Sequence, residues 1–187
     1  MSLFLLGAVL LLLLAIACVV IYNSLIRRRN MVDQAFSAIE VQLTQRYDLI
    51  PKLVETVKQY MGHERSLLEK IVRLRSQAIS SRTPAEKIAA DNQLTRAMGQ
   101  LNVTMENYPQ LRSSENFVQL QRSLNEVEEQ LAAARRSYNA AVTDYNNAVQ
   151  TFPSSLIAGG TGFGLRQIFV ADENKRADVD MKSLFRA

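Results

Sequence analysis

One cysteine and one histidine are all that this 187-residue chain offers of two residue types much used in metal binding and covalent catalysis. Cys18 has no second cysteine to pair with, so the chain can form neither an internal disulfide nor a cysteine-type zinc site. His63 stands beside Glu64, and the remaining Asp and Glu residues show no ligand spacing around it. A histidine at the surface or at a helix end is the simpler reading. Tryptophan is absent, and no Lys/Arg run is interleaved with aromatics, which argues against nucleic acid as a partner. The seven glycines and four prolines are few, and four of the glycines fall within 159–164. No stretch alternates apolar and polar residues between turns, so the fold class is read as all-α.

Charge is missing from one region altogether. Residues 1–26 contain no charged side chain, and Arg27, Arg28 and Arg29 follow at once. Leu3 to Ile21 is a run of apolar or small residues. Roughly 20 such residues span a bilayer core as a helix, at about 1.5 Å per residue. Tyr22 falls where an interfacial aromatic belongs, and positive charge flanking a span stays on the cytoplasmic side. The expectation is a single pass with the N-terminus outside and the C-terminal domain cytoplasmic. No Lys or Arg precedes the apolar run, which disfavours a cleaved secretory signal. A lipoprotein anchored at Cys18 is the alternative, because Ala15-Ile16-Ala17-Cys18 loosely resembles a lipobox. The net charge of +4 comes from 22 basic and 18 acidic residues; without Arg27–Arg29 it is 19 against 18. Basicity is therefore juxtamembrane, and anionic headgroups attract such a cluster by about 1 kcal/mol per Lys or Arg.

Between Gly7 and Pro51 there is neither Gly nor Pro, so the membrane helix is expected to continue into the domain, with Val32, Ala35, Ile39 and Leu43 inward. Asp48 is expected to cap a second helix with Pro51 in its first turn and Ile50, Leu53, Val57, Met61, Leu68, Ile71, Leu74 and Ala78 buried. Thr83-Pro84-Ala85-Glu86 reads as a capping box opening a third helix, which Tyr108-Pro109 ends. Phe117, Leu120, Leu124, Val127, Leu131, Ala134, Tyr138, Ala141, Tyr145, Ala148 and Phe152 step by three and four, as in coiled-coil packing. The expected organisation is a transmembrane anchor at 1–26, a long antiparallel four-helix bundle at 27–153, and a Gly-rich segment with an extended tail at 154–187. The four helices are placed at about 27–47, 49–80, 84–108 and 114–152. In the tail Val179, Met181, Leu184 and Phe185 are dense enough in apolar surface to dock on the bundle or on a neighbouring subunit.

Catalytic readings fail on context. The run Gly159–Gly164 has no preceding strand and no Gly-Lys-Ser/Thr after it, so a turn anchored by Phe163 is preferred to a phosphate loop. Glu128 and Glu129 are adjacent on a helix and diverge. No Cys–His pair exists outside the apolar run, and no serine sits in an elbow motif. The expectation is a non-enzyme without cofactor or metal.

Residues 22–75 carry the most specific pattern. Tyr22-Asn23-Ser24-Leu25, Arg29-Asn30-Met31-Val32, the segment Ala35–Leu43, and Arg46-Tyr47-Asp48-Leu49-Ile50-Pro51-Lys52-Leu53 resemble LemA-family proteins. So do Ala134-Arg135-Arg136-Ser137-Tyr138-Asn139, Ala141-Val142-Thr143-Asp144-Tyr145-Asn146 and Phe152-Pro153-Ser154. Phe36 stands where the family suggests Trp. The resemblance implies a bacterial membrane protein with one N-terminal span and long helices, and it implies no reaction. Arg46, Tyr47, Asp48, Tyr145 and Asn146 then admit two roles: capping and hydrogen bonding within the chain, or, with Phe163, Leu184 and Phe185, contacts between subunits.

Two functional expectations remain. The first is a membrane-anchored helical scaffold of the bacterial inner membrane that forms a large homo-oligomer and organises or bends the bilayer. The second is an adaptor presenting bundle and tail to a membrane protease, transporter or signalling protein.

Overall fold

The computed structural model describes residues 2–169, with side chains from Phe4 onward. Leu184 and Phe185, expected as subunit contacts, lie outside the described residues, as does most of the tail. Among the described residues six helices follow one another: α1 (Ser2–Lys58), α2 (Arg65–Ser80), α3 (Pro84–Met105), α4 (Pro109–Arg112), α5 (Glu115–Gln150) and α6 (Ser154–Thr161). No strand occurs among the described residues. The chain divides into two compact units, one built from residues up to Thr44 and from Val127–Ile168, the other containing Gln45–Glu126.

In the first unit α1 passes from the apolar run into the packed region without a break. Leu10, Leu14 and Val20 are exposed, whereas Leu25, Val32, Ile39 and Leu43 are buried. The buried stripe starts before the arginines, at Leu25. From Ser2 to Thr44 this segment is about 65 Å of helix at 1.5 Å per residue. Leu131, Tyr138, Val142 and Tyr145 of α5 are buried as well. Phe36, at the position where Trp was expected, meets the Tyr138 ring at 5.6 Å between centroids.

The second unit corrects the helix expected at 49–80, which neither starts at Asp48 nor runs unbroken, since a turn at residues 59–64 divides it. No helix starts at Asp48: α1 runs through Pro51 to Lys58, leaving Asp48 exposed in mid-helix rather than capping. Proline at position 51 has no N–H for the Tyr47 carbonyl, four residues back, and an interior proline costs a helix about 3 kcal/mol or more. Here the Arg75 guanidinium takes the missing donor's place, its Nε donating to the Tyr47 carbonyl at 2.6 Å. The helix therefore continues until the turn at residues 59–64, where Met61 is buried and His63 is exposed. Arg75→Met should destabilise the protein by about 1–3 kcal/mol. In a Pro51→Ala background, whose restored N–H serves Tyr47, that cost should shrink by roughly 1 kcal/mol. Equal costs in the two backgrounds, measured by denaturant unfolding, would contradict this compensation.

Downstream, α2 buries Leu68, Ile71, Leu74 and Ala78, as its spacing predicts, and packs against α3. At the start of α3 the capping box forms: Thr83 Oγ1 accepts from the Glu86 N–H at 3.2 Å. Glu86 Oε2 accepts from the N–H groups of Arg82 at 2.9 Å and Thr83 at 3.2 Å. Those two backbone donors, Arg82 first, hold the Glu86 carboxyl below its ordinary value of 4.5. A depressed acid contributes stability above its unfolded value and loses it as pH falls through the folded one. The gap in thermal midpoint between wild type and Glu86→Gln should thus be widest above 4.5 and close below it; a gap independent of pH would contradict the assignment. The third helix ends at Met105, and Pro109 opens the short α4, an element the sequence pattern missed.

The heptad pattern in α5 holds up to Tyr145 and then drifts. Val142 is fully buried, while Phe152 is 75% exposed. The helix stops at Gln150, so Phe152 is no longer governed by its register. The Gly159–Gly160 pair, expected in a turn, lies inside α6.

Candidate membrane-proximal interface

The residues flanking the apolar run are held by the end of α5 and by the segment after α6. Arg28 forms an ion pair with Asp144 of α5. Both side chains are well exposed, so the pair positions more than it stabilises, at about 0–1 kcal/mol. Gly162 adopts the left-handed conformation, φ 76°, which glycine reaches without a Cβ clash. The Phe163 N–H bonds back to the Ala158 carbonyl at 3.2 Å, closing α6. Phe163 is thereby buried, edge-on to Tyr22 at 5.7 Å and with the Arg29 guanidinium 5.5 Å above its ring. Such a cation over an aromatic face contributes about 0.5–1 kcal/mol at an exposed site. The three arginines read as one basic rim thus have distinct surroundings: Arg27 exposed, Arg28 on Asp144, Arg29 on Phe163.

From Gly162 to Ile168 the chain forms a strap without regular structure. Tyr145 donates from its hydroxyl to the Gly164 carbonyl at 3.0 Å, and Tyr138 donates to the Gln167 carbonyl at 2.9 Å. Asn146 grips Arg166 twice: its Nδ2 donates to the carbonyl at 2.8 Å and its Oδ1 accepts from the N–H at 2.9 Å. The spacing is commensurate. Seven helical residues from Tyr138 to Tyr145 advance about 10.5 Å, and three extended residues from Gly164 to Gln167 advance about 10 Å. Burial pushes the Tyr138 phenol above its ordinary value of 10.0, keeping it protonated as a donor. Arg166 also reaches Asp33 of α1 at 3.6 Å.

In the other unit Arg46 is 1% exposed, and its guanidinium meets Asp91 Oδ1 at 2.7 Å and Thr95 Oγ1 at 3.0 Å. Asp91 is 0% exposed. Asp91 and Thr95 lie four apart on α3, one turn above the other, so both can accept from the one nitrogen Nη1. Tyr47 is buried beside it. Of the residues weighed as subunit contacts, Arg46, Tyr145, Asn146 and Phe163 have the intrachain partners just described, Tyr47 is buried, and Asp48 is exposed. Tyr138, Arg75, Asp91 and Arg166 were missed by sequence reasoning. Asp91 left a signal, since it falls one step before Leu94, Met98, Leu101 and Met105 on the same stripe. A groove of about 700 Å³ in this unit is lined by Val54, Lys58, Arg65, Val72 and Arg73. No cluster of three or more His, Cys, Asp or Glu suited to a metal occurs among the described residues.

Among the described residues the fold is all-helical, with one helix long and apolar enough to cross a membrane. Its sequence matches the profile of the LemA family over residues 35–182, and the chain belongs to that family. It is 28% identical to Protein LemA of Metamycoplasma hominis over 166 residues, covering 87% of this chain and 74% of that one. It is 33% identical over 82 residues to Magnetosome protein MamQ 2 of Paramagnetospirillum magneticum, covering 44% of this chain and 30% of the relative. Magnetosome protein MamQ of Magnetospirillum gryphiswaldense is 32% identical over 76 residues, covering 41% and 28%. The chain thus spans less than a third of the length of these two magnetosome proteins.

Proposed function

We propose that this protein is a membrane-anchored helical scaffold of the bacterial inner membrane, which assembles with copies of itself and organises or bends the bilayer. One observation carries the reading: α1 passes from an exposed apolar segment into a buried stripe with no break, so the body cannot swivel on a loose linker. Copies held upright on one surface gain effective concentration, and weak lateral contacts then suffice for assembly. The contact order, Arg28 with Asp144 and Phe36 with Tyr138, supports an antiparallel run of α5 on α1. Arg27–Arg29 support a cytoplasmic C-terminal domain near anionic headgroups. Relatives named for the magnetosome, rather than for a reaction, support a non-catalytic role. Amine cross-linking of the full chain in vesicles should yield a ladder well beyond the dimer. A protein that stays monomeric at high density in lipid contradicts the proposal.

The adaptor reading keeps one supporting feature, the groove lined by Lys58, Arg65 and Arg73 against the single carboxylate Glu69, whose positive balance would suit an acidic segment of a membrane partner. Loss of a co-purifying partner in Arg65→Glu/Arg73→Glu, with the cross-linked ladder unchanged, would favour it.

A further inference from the structure

We infer that α6 and its flanks form a second membrane contact, a hydrophobic foot that lies in the interfacial layer beside the span; the inference rests on the membrane-anchored reading above. Charge is the first ground. In a chain with 21% charged residues, Tyr145 to Leu165 carries none. A neutral stretch of that length, like residues 1–26, avoids the cost of bringing ionised groups among acyl chains.

Position is the second. Ile21, Ser24 and Leu25, at the end of the apolar run, line one cavity with Thr151, Pro153 and Ser154. On the far side of α6, Phe163 touches Tyr22. One flank of the foot thus borders, and the other touches, the turn of α1 where the span meets the headgroups.

Exposure is the third. Phe152 is 75% and Leu156 70% exposed. A Cβ placed on Gly159 or Gly160 meets nothing within 4 Å, so none of the described residues covers this face of α6. Apolar side chains uncovered at the depth of the interface have one solvent that fits them, the boundary between headgroups and acyl chains, where short apolar elements lie about 5–10 Å deep. Continuity with the span selects lipid over a second protein copy.

The absence of tryptophan makes the test clean, since a substituted one is the sole indole in the chain. Full-length protein carrying Leu156→Trp is reconstituted into phosphatidylcholine–phosphatidylglycerol vesicles with or without acyl-brominated lipid. Leu12→Trp reports the span and Val103→Trp, at an exposed position of α3, reports solvent. The foot predicts blue-shifted emission and strong loss of intensity with brominated lipid for Leu156→Trp, approaching Leu12→Trp, and neither effect for Val103→Trp. Phe152→Trp should repeat the result from outside the helix, guarding against a local disturbance of α6. Emission at the Val103→Trp position without quenching overturns the foot. Blue-shifted emission without quenching overturns it too, by showing that protein covers the site. An unquenched Leu12→Trp removes the anchoring reading itself, and the foot with it.

Discussion

Asp91→Ala should lower the stability of the protein by about 3–5 kcal/mol, because it strands the buried guanidinium of Arg46 without its carboxylate. Both side chains are at most 1% exposed, so water cannot repair the loss. The pair itself is a different matter. Desolvating two charges offsets most of what their attraction returns, and apolar replacement of a buried pair is often neutral or stabilising. Arg46→Met/Asp91→Leu should therefore recover most of the loss, leaving Thr95 to turn elsewhere for its hydrogen bond. Urea unfolding of the two singles and the double closes the cycle. A double variant as unstable as the worse single would mean that the site depends on its charges for more than mutual neutralisation.

Tyr138→Phe, Tyr145→Phe and Asn146→Leu together should release the strap at 162–168. They remove four hydrogen bonds, each contributing about 0.5–1.5 kcal/mol, so opening becomes easier by roughly 3 kcal/mol. Amide exchange at Arg166, whose N–H bonds to Asn146, should then accelerate by roughly 100-fold. The α5 amides around Leu131, outside the strap contacts, should keep their protection. Exchange unchanged at Arg166 would show that Phe163, between Tyr22 and Arg29, holds the segment unaided.

Much of the helical layout was legible because periodicity and caps are local signals. The buried side of α2, the capping box at Thr83 and Glu86, and the inward Val32, Ile39 and Leu43 all follow from spacing and from cap chemistry. Pro51 misled because its compensation is not local: the donor is Arg75, on the next helix. Nothing near residue 51 announces it. Arg46 and Asp91 were half legible. Each stands at an apolar step of its helix, Arg46 three after Leu43 and Asp91 three before Leu94, and two opposite charges at such steps are the signature of a buried pair. The strap was hidden for another reason. Tyr138 and Tyr145 satisfy an apolar seam with their rings, so their hydroxyls look incidental until an extended segment with matching rise lies beside them. Periodicity put Phe152 on the α5 stripe although α5 ends two residues earlier, and it could not place Leu156, since α6 is too short to show a period.

Assembly on the membrane is the central claim, and single-particle imaging of the full-length protein, extracted gently from native membranes, tests it most directly. The account predicts large, regular, symmetric particles whose apolar segments lie side by side, with curvature that can be read from the images. Monomers or small dimers under the same extraction would contradict it.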